Sequence, residues 1–171
     1  MSISMYQASV PVFVQYLKGL SGILDKAEAH CAAKKIDPVV LTSTRLIADM
    51  FPLSRQVQVA CDFAKGVTGR LAGTDLPAWD DNEKTIPELK ARVHKTIAYV
   101  ESFKPAQIDG SENRDIALKV GGNAVTFKGQ PYLLHFGLPN FFFHTAAAYS
   151  ILRTNGVDIG KRDFLGPVPG M

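Results

Sequence analysis

Apolar residues return every three or four positions through most of this chain, and that spacing predicts helices. From Ser4, a candidate cap, to Lys35 the apolar positions are Val10, Phe13, Val14, Leu17, Leu20 and Leu24. Pro11 falls inside that stretch, so the helix either kinks or begins near it, because proline removes a helix hydrogen bond. Pro38 ends it by pushing Asp37 out of helical geometry. A second helix is expected from Ser43 to Leu71, with a kink at Pro52. Its seam is Leu46, Met50, Leu53, Val57, Ala60, Ala64, Val67 and Leu71, the alternation of four and three used inside bundles. The opposite stripe of Arg55, Gln58, Asp62, Lys65 and Gly69 reads as a solvated face, and Gly73 as the stop. The third helix has the clearest start. Thr85 with Glu88 three residues on is a capping-box pattern, and Pro87 suits a first turn. Leu89, Val93, Ile97 and Val100 then face inward, and Phe103 closes the run before Pro105.

Between Ile108 and Pro131 the period drops to two. Ile116, Leu118 and Val120 alternate with Ala117 and Lys119, and Val125 and Phe127 with Thr126 and Lys128. With Gly121-Gly122-Asn123 between them, these runs predict a β-hairpin. The stretch GGNAVTFKG lacks the GK[ST] ending of a phosphate loop. The fourth helix is expected from about Pro139 to Asn155, stopped by Gly156. Its FFFHTAAAYSIL interior is apolar nearly all round, which predicts the most buried element. The tail VDIGKRDFLGPVPGM reads as irregular, packing back through Phe164 and Leu165. The expected fold is a mainly all-α four-helix bundle with a small hairpin between the third and fourth helices, forming one domain over residues 1–171.

Composition narrows the partners. Of 171 residues, 46% are hydrophobic and 20% charged, with a net charge of +3. The basic residues are scattered rather than gathered into the patch that phosphate binding needs, so nucleic acid is not expected. No apolar stretch approaches the roughly 20 residues that cross a bilayer, so no membrane partner is expected. The N-terminus has none of the three regions of a signal peptide, which predicts a cytoplasmic protein. Cys31 and Cys61 lie in expected helices without metal or redox spacing, and read as reduced, packed thiols.

The segments DMFPLSRQVQVACDFAKG, RLAG, LPNFFFHTAAAYSILRTNG and GKRDFLG resemble the DinB/YfiT-like metalloenzyme superfamily, and within it a branch known only as a domain of unknown function. The resemblance covers essentially the whole chain. It implies an up-down-down-up bundle and a homodimer. It also implies a divalent metal held by three histidines, one from the second helix and two from an HxxxH pair on the fourth. Several relatives use that metal in thiol-dependent transferase or hydrolase reactions. Here the HxxxH pair reads Asn140-x-x-x-His144, and counting back from RLAG puts the second-helix position near Gln56. One histidine of three remains. Tight zinc or nickel sites take three or more nitrogen or sulfur ligands, so the metal triad is degenerate and no cofactor is expected.

Four residues stand as pocket candidates: Asp49, Gln56, Asn140 and His144. On a continuous helix Asp49 and Gln56 would share an azimuth two turns apart, and Asn140 and His144 share a face by their spacing of four. His144 lies in an apolar helix and needs a partner if buried, so a bond to Asn140, Gln56 or Asp49 is expected. His30, His94 and His135 read as structural or solvated, and Asp62 and Lys65 as surface charge. Cys61 lies beside the inner seam, within reach of the fourth helix. Lys161-Arg162 reads as tail solvation, with anion binding the lesser alternative. Two readings of function follow. One is a pocket for a small molecule, with His144 carrying a proton. The other is a non-catalytic homodimer whose internal polar groups satisfy one another. An open pocket favours the first, a closed cluster the second.

Overall fold

The computed structural model describes residues 3–170. Helix α1 spans Val10–Lys34 with Pro11 in its first turn, so the proline marks a start and no kink. Lys35, in the left-handed region at φ 54°, ends it. The Asp37 carboxylate then accepts a bond from the Val39 amide at 3.0 Å and opens a short helix α2, Pro38–Ser43.

The second long helix, α3, is Leu53–Ala72, shorter than the pattern suggests. Residues 44–52 form a closed loop instead. Thr44 and Pro52 are extended, Arg45 pairs with Pro52, and the Leu53 amide donates to the Thr44 carbonyl at 2.9 Å. Pro52 has no amide hydrogen to carry a helix backwards and disfavours helical geometry at Phe51. The seam therefore begins at Leu53, and Leu46 is exposed. Gly73, at φ 69°, caps the far end of α3.

Helix α4 spans Ile86–Glu101 and has the expected capping box. The Glu88 amide donates to Thr85 Oγ1 at 3.3 Å, and the Thr85 amide to Glu88 Oε2 at 2.9 Å. A short helix α5, Pro105–Ile108, leads into strands β1, Asp115–Val120, and β2, Asn123–Lys128. These pair antiparallel about Gly121 and Gly122, at φ 56° and 86°, a two-residue turn that needs positive φ at both positions. A turn α6, Gly129–Pro131, and a π-helical turn, Tyr132–Gly137, run into α7, Leu138–Thr154. The tail is ordered rather than irregular. Helix α8, Lys161–Leu165, lies on α1, where the Leu165 carbonyl accepts from Gln15 and Phe164 meets Tyr16. A Cβ at Gly19 would come within 2.7 Å of the Phe164 carbonyl oxygen, so only glycine admits this approach.

Side-chain pairs give the directions of the long helices. Lys18 meets Glu101 while Glu28 meets Lys90, so α1 and α4 are antiparallel. Gln56 meets His144 and Val67 lies against Gly137, so α3 and α7 are antiparallel. Phe13 meets Phe141 and His30 lies near Gly156, so α1 and α7 run parallel. The 73–85 connection starts on the Gly69 carbonyl and ends on Arg55 and Gln58. It travels back along α3, and α4 must therefore start beside the start of α3. The order is up-down-down-up.

The core between these helices is one buried cluster drawing on all four, with Ile116 of the hairpin and Phe103 at its margin. Helix α3 buries thirteen of its 20 residues and α7 seven of its 17. The most buried element is thus α3, because the 73–85 connection covers its polar stripe.

Candidate functional site

Two polar clusters are built on α3, facing opposite sides. The stripe of Arg55, Gln58, Asp62 and Lys65 is not a solvated face. Arg92 of α4, with its side chain 2% exposed, reaches into it. Its guanidinium donates to Asp62 Oδ1 at 2.9 Å, Asp81 Oδ1 at 3.1 Å, Glu83 Oε1 at 3.0 Å and the Asp80 carbonyl at 2.9 Å. Lys65 pairs with the same Asp62 oxygen at 3.0 Å, Gln58 donates to Glu83 at 3.0 Å, and Arg55 pairs with Asp81. The Trp79 ring lies under three cations, with Lys95 at 4.5 Å, Lys65 at 4.6 Å and Arg92 at 5.2 Å from its centre. Burial works against the Arg92 charge, but Asp62 and Glu83 outweigh it and hold the guanidinium above its ordinary range.

The second cluster faces α7. Gln56 is 1% exposed and His144 8%. Gln56 Nε2 donates to the Phe51 carbonyl at 3.2 Å, which turns Oε1 toward His144 Nδ1 at 2.7 Å. With an acceptor opposite it, Nδ1 carries the hydrogen and Nε2 keeps its lone pair. Nε2 has no partner among the described residues, yet it is not sealed from solvent. The imidazole is nearly parallel to the rings of Phe51 and Phe63, whose centres are 6.4 and 5.9 Å away. Burial first, and the nearby Arg55 charge second, push its pKa below the ordinary imidazole value. An open pocket of about 220 Å³ faces the ring, lined by Asp49, Met50, Phe51, Gln56, Phe143 and His144.

Three of the four candidates meet at this pocket. Asp49 arrives by an unexpected route, from the 44–52 loop rather than from a shared helix face, and stands exposed at the rim. Asn140 does not join them, since its amide donates back to the Phe136 carbonyl at 2.7 Å across the π-helical turn. The aromatic walls are missed by sequence reasoning, because the all-round apolar FFF run reads as buried while Phe143, like Phe51, is half exposed. Cys61 faces Thr96 and Arg92 of α4 rather than a nucleophilic site, and burial pushes its thiol up to about 12. His94 is exposed and bonds Ser21, while His30 has a buried, unpartnered Nε2.

The chain matches the family described as a domain of unknown function (DUF1993) over residues 5–165. The chain belongs to the DUF1993 family. This DUF1993 chain is also 40% identical to a crystal structure described as a DinB family member protein from Shewanella denitrificans. That likeness covers 96% of this chain and 93% of that chain, with a TM-score of 0.85, so the DUF1993 fold here is DinB-like. No curated protein matches. At the three positions that the resemblance would make metal ligands, this DUF1993 protein offers one imidazole and two neutral carboxamides, one of them engaged by the Phe136 carbonyl. No group of three His, Cys, Asp or Glu side chains suited to a metal occurs among the described residues. That donor set does not fit zinc or nickel.

Proposed function

We propose that this protein binds a small, largely apolar molecule bearing one O–H or N–H group in the pocket around His144, at the position of a degenerate metal triad. The observation that carries the reading is the Gln56–His144 bond, which leaves a neutral imidazole with its free Nε2 lone pair at an open aromatic pocket. Gln56 positions the ring, Phe51 and Phe143 supply apolar contact, and Nε2 accepts the ligand's hydrogen. The same atom is placed to take a proton from a reacting group, since a neutral imidazole is the form a general base requires. Phenol and anisole, which differ in the hydrogen, test this by calorimetry and by imidazole ¹⁵N shifts. Phenol is expected to bind about 2–10-fold more tightly, the worth of one net hydrogen bond, and His144→Phe to erase the difference. Equal binding of the two would overturn the reading.

A second reading, a homodimeric interaction bundle, has its own observation. Leu46, Ile47 and Phe51 in the 44–52 loop and Phe143 on α7 are 41–60% exposed, and two of them line the pocket mouth. Exposed apolar clusters of this kind favour association. Light scattering across a concentration series tests it. A dimer abolished by Phe143→Ser supports this reading, and a monomer mass throughout removes it.

A further inference from the structure

Phe63 has two sides. One stacks on His144, and the other meets Phe136 at 5.8 Å in a different pocket of about 220 Å³, between α3, β1 and the π-helical turn. The polar groups there are Arg70, Lys119, Tyr132 and Asp62. Asp62 is already neutralised, since its Oδ1 accepts from both Lys65 and Arg92. Among the described residues no carboxylate lies in ion-pair range of Arg70 or Lys119.

Arg70 is held for a purpose other than pairing with acid. Its guanidinium folds back over Gly66, where a Cβ would lie 2.6 Å from NH1, and donates to the Tyr132 hydroxyl at 3.0 Å. Tyr132 is 1% exposed, and its hydroxyl accepts from Arg70 while its own hydrogen has no acceptor among the described residues. A phenol buried this deeply ordinarily satisfies its hydrogen. An acceptor entering the pocket would meet that hydrogen, and the two cations favour a negative one. Phe63 and Phe136 supply apolar walls, and a π-helical turn is a frequent mark of functional positions. Sites for drug-sized ligands run to roughly 300–1,000 Å³, so a space of about 220 Å³ limits the body to about one ring.

We propose that this pocket binds a small monocarboxylate with a flat apolar body, its carboxylate taking hydrogen bonds from Arg70 and Tyr132 with Lys119 at the mouth. One carboxylate oxygen meets the guanidinium, the other the phenol hydrogen. This site is separate from the His144 pocket and does not depend on it.

The test uses benzoate, with benzyl alcohol as the uncharged comparison, in calorimetric and NMR titrations of the full chain. Benzoate is expected to bind at least about 10-fold more tightly than benzyl alcohol, since bonds to charged groups contribute about 1.5–3 kcal/mol. Tyr132→Phe keeps the buried ring and is expected to weaken benzoate about 5-fold or more, the loss of one donor. Lys119→Gln, on an exposed strand position, is expected to weaken it about 2-fold and to reduce its salt dependence. Arg70→Gln is expected to remove measurable binding, and His144→Phe to leave it unchanged. Benzoate and benzyl alcohol binding alike, no benzoate binding at all, or loss of benzoate on His144→Phe but not on Tyr132→Phe would each overturn the proposal.

Discussion

The two polar clusters on α3 differ in what they leave over. Around Arg92, both oxygens of Asp81 and Glu83 and one of Asp62 are taken up by cations and amides of the same protein, Arg92 Nε is sealed in without a partner among the described residues, and Trp79 is overlaid by three positive side chains. Around His144, one bond holds the ring and one lone pair stays free beside a pocket. The first cluster has far more charge, yet its bonding is directed inward and it fastens the 73–85 connection to the bundle. The second has hardly any charge but an acceptor to offer. The clasp also borders a pocket, of about 360 Å³ and lined by Trp79, Arg92 and Lys95, so space alone does not separate the two; its cations and carboxylates are mostly bonded to one another, while the His144 lone pair is not.

The largest effect expected is on the clasp. Arg92→Met keeps the side-chain stem but takes the buried cation from three carboxylates, leaving Asp62 with Lys65, Asp81 with Arg55 and Glu83 with Gln58. Removing one partner of a buried pair costs about 3–5 kcal/mol, and the lower end applies here because Asp62 and Asp81 are about one-third exposed and can rehydrate. Urea unfolding measures it, and a loss below that for His144→Ala would break the comparison. His144→Ala is expected to cost about 1–2 kcal/mol, the lower part of the range for an orphaned polar group, because Gln56 keeps its bond to Phe51 and the open pocket admits water.

Acid sharpens the contrast further. The folded-state pKa of His144 lies below its unfolded value, so below about 6.5 the unfolded chain takes up the proton first. The stability tied to neutral His144 is complete above that pH and declines as the pH falls through it toward the folded pKa. Unfolding curves between pH 7.5 and 5.5 should be steeper for the native chain than for His144→Gln, and parallel curves would contradict a buried neutral ring. The smallest effect concerns metal. Chelation with EDTA is expected to leave the melting temperature unchanged, and elemental analysis to find no stoichiometric zinc or nickel. About one metal ion per chain, lost on His144→Ala, would reverse that.

Much of the fold could be read from local rules. The Thr85–Glu88 box works within one turn of chain, and the Gly121-Gly122 turn depends on two residues with positive φ. The errors came where distant segments decide. Leu46 and Met50 have helical spacing with Leu53, but spacing says nothing about Pro52 closing a loop with Arg45. The stripe from Arg55 to Lys65 has the composition of a surface, and the return path of the 73–85 connection together with Arg92 of α4 covers it. Gln56 and His144 bond each other as expected of a buried imidazole, at positions to which the resemblance points. Asn140 shares a face with His144 by its spacing, but the π-helical turn placed the Phe136 carbonyl under its amide. The Arg70–Tyr132 pair joins residues 62 positions apart and left no local trace.

Parallel neighbours also set a length rule for this family of bundles. Helix α3 has 20 residues, about 30 Å at 1.5 Å per residue, and the chain must retrace that distance before α4 can start. The 13 residues from 73 to 85 reach at most about 43–47 Å when fully drawn out. Losing four of them would leave roughly 30–32 Å of reach, with nothing for the turns at either end. Evolution can therefore lengthen this crossing or change its residues, but a deletion of more than a few would force α4 to enter from the opposite end and turn the bundle into a different topology.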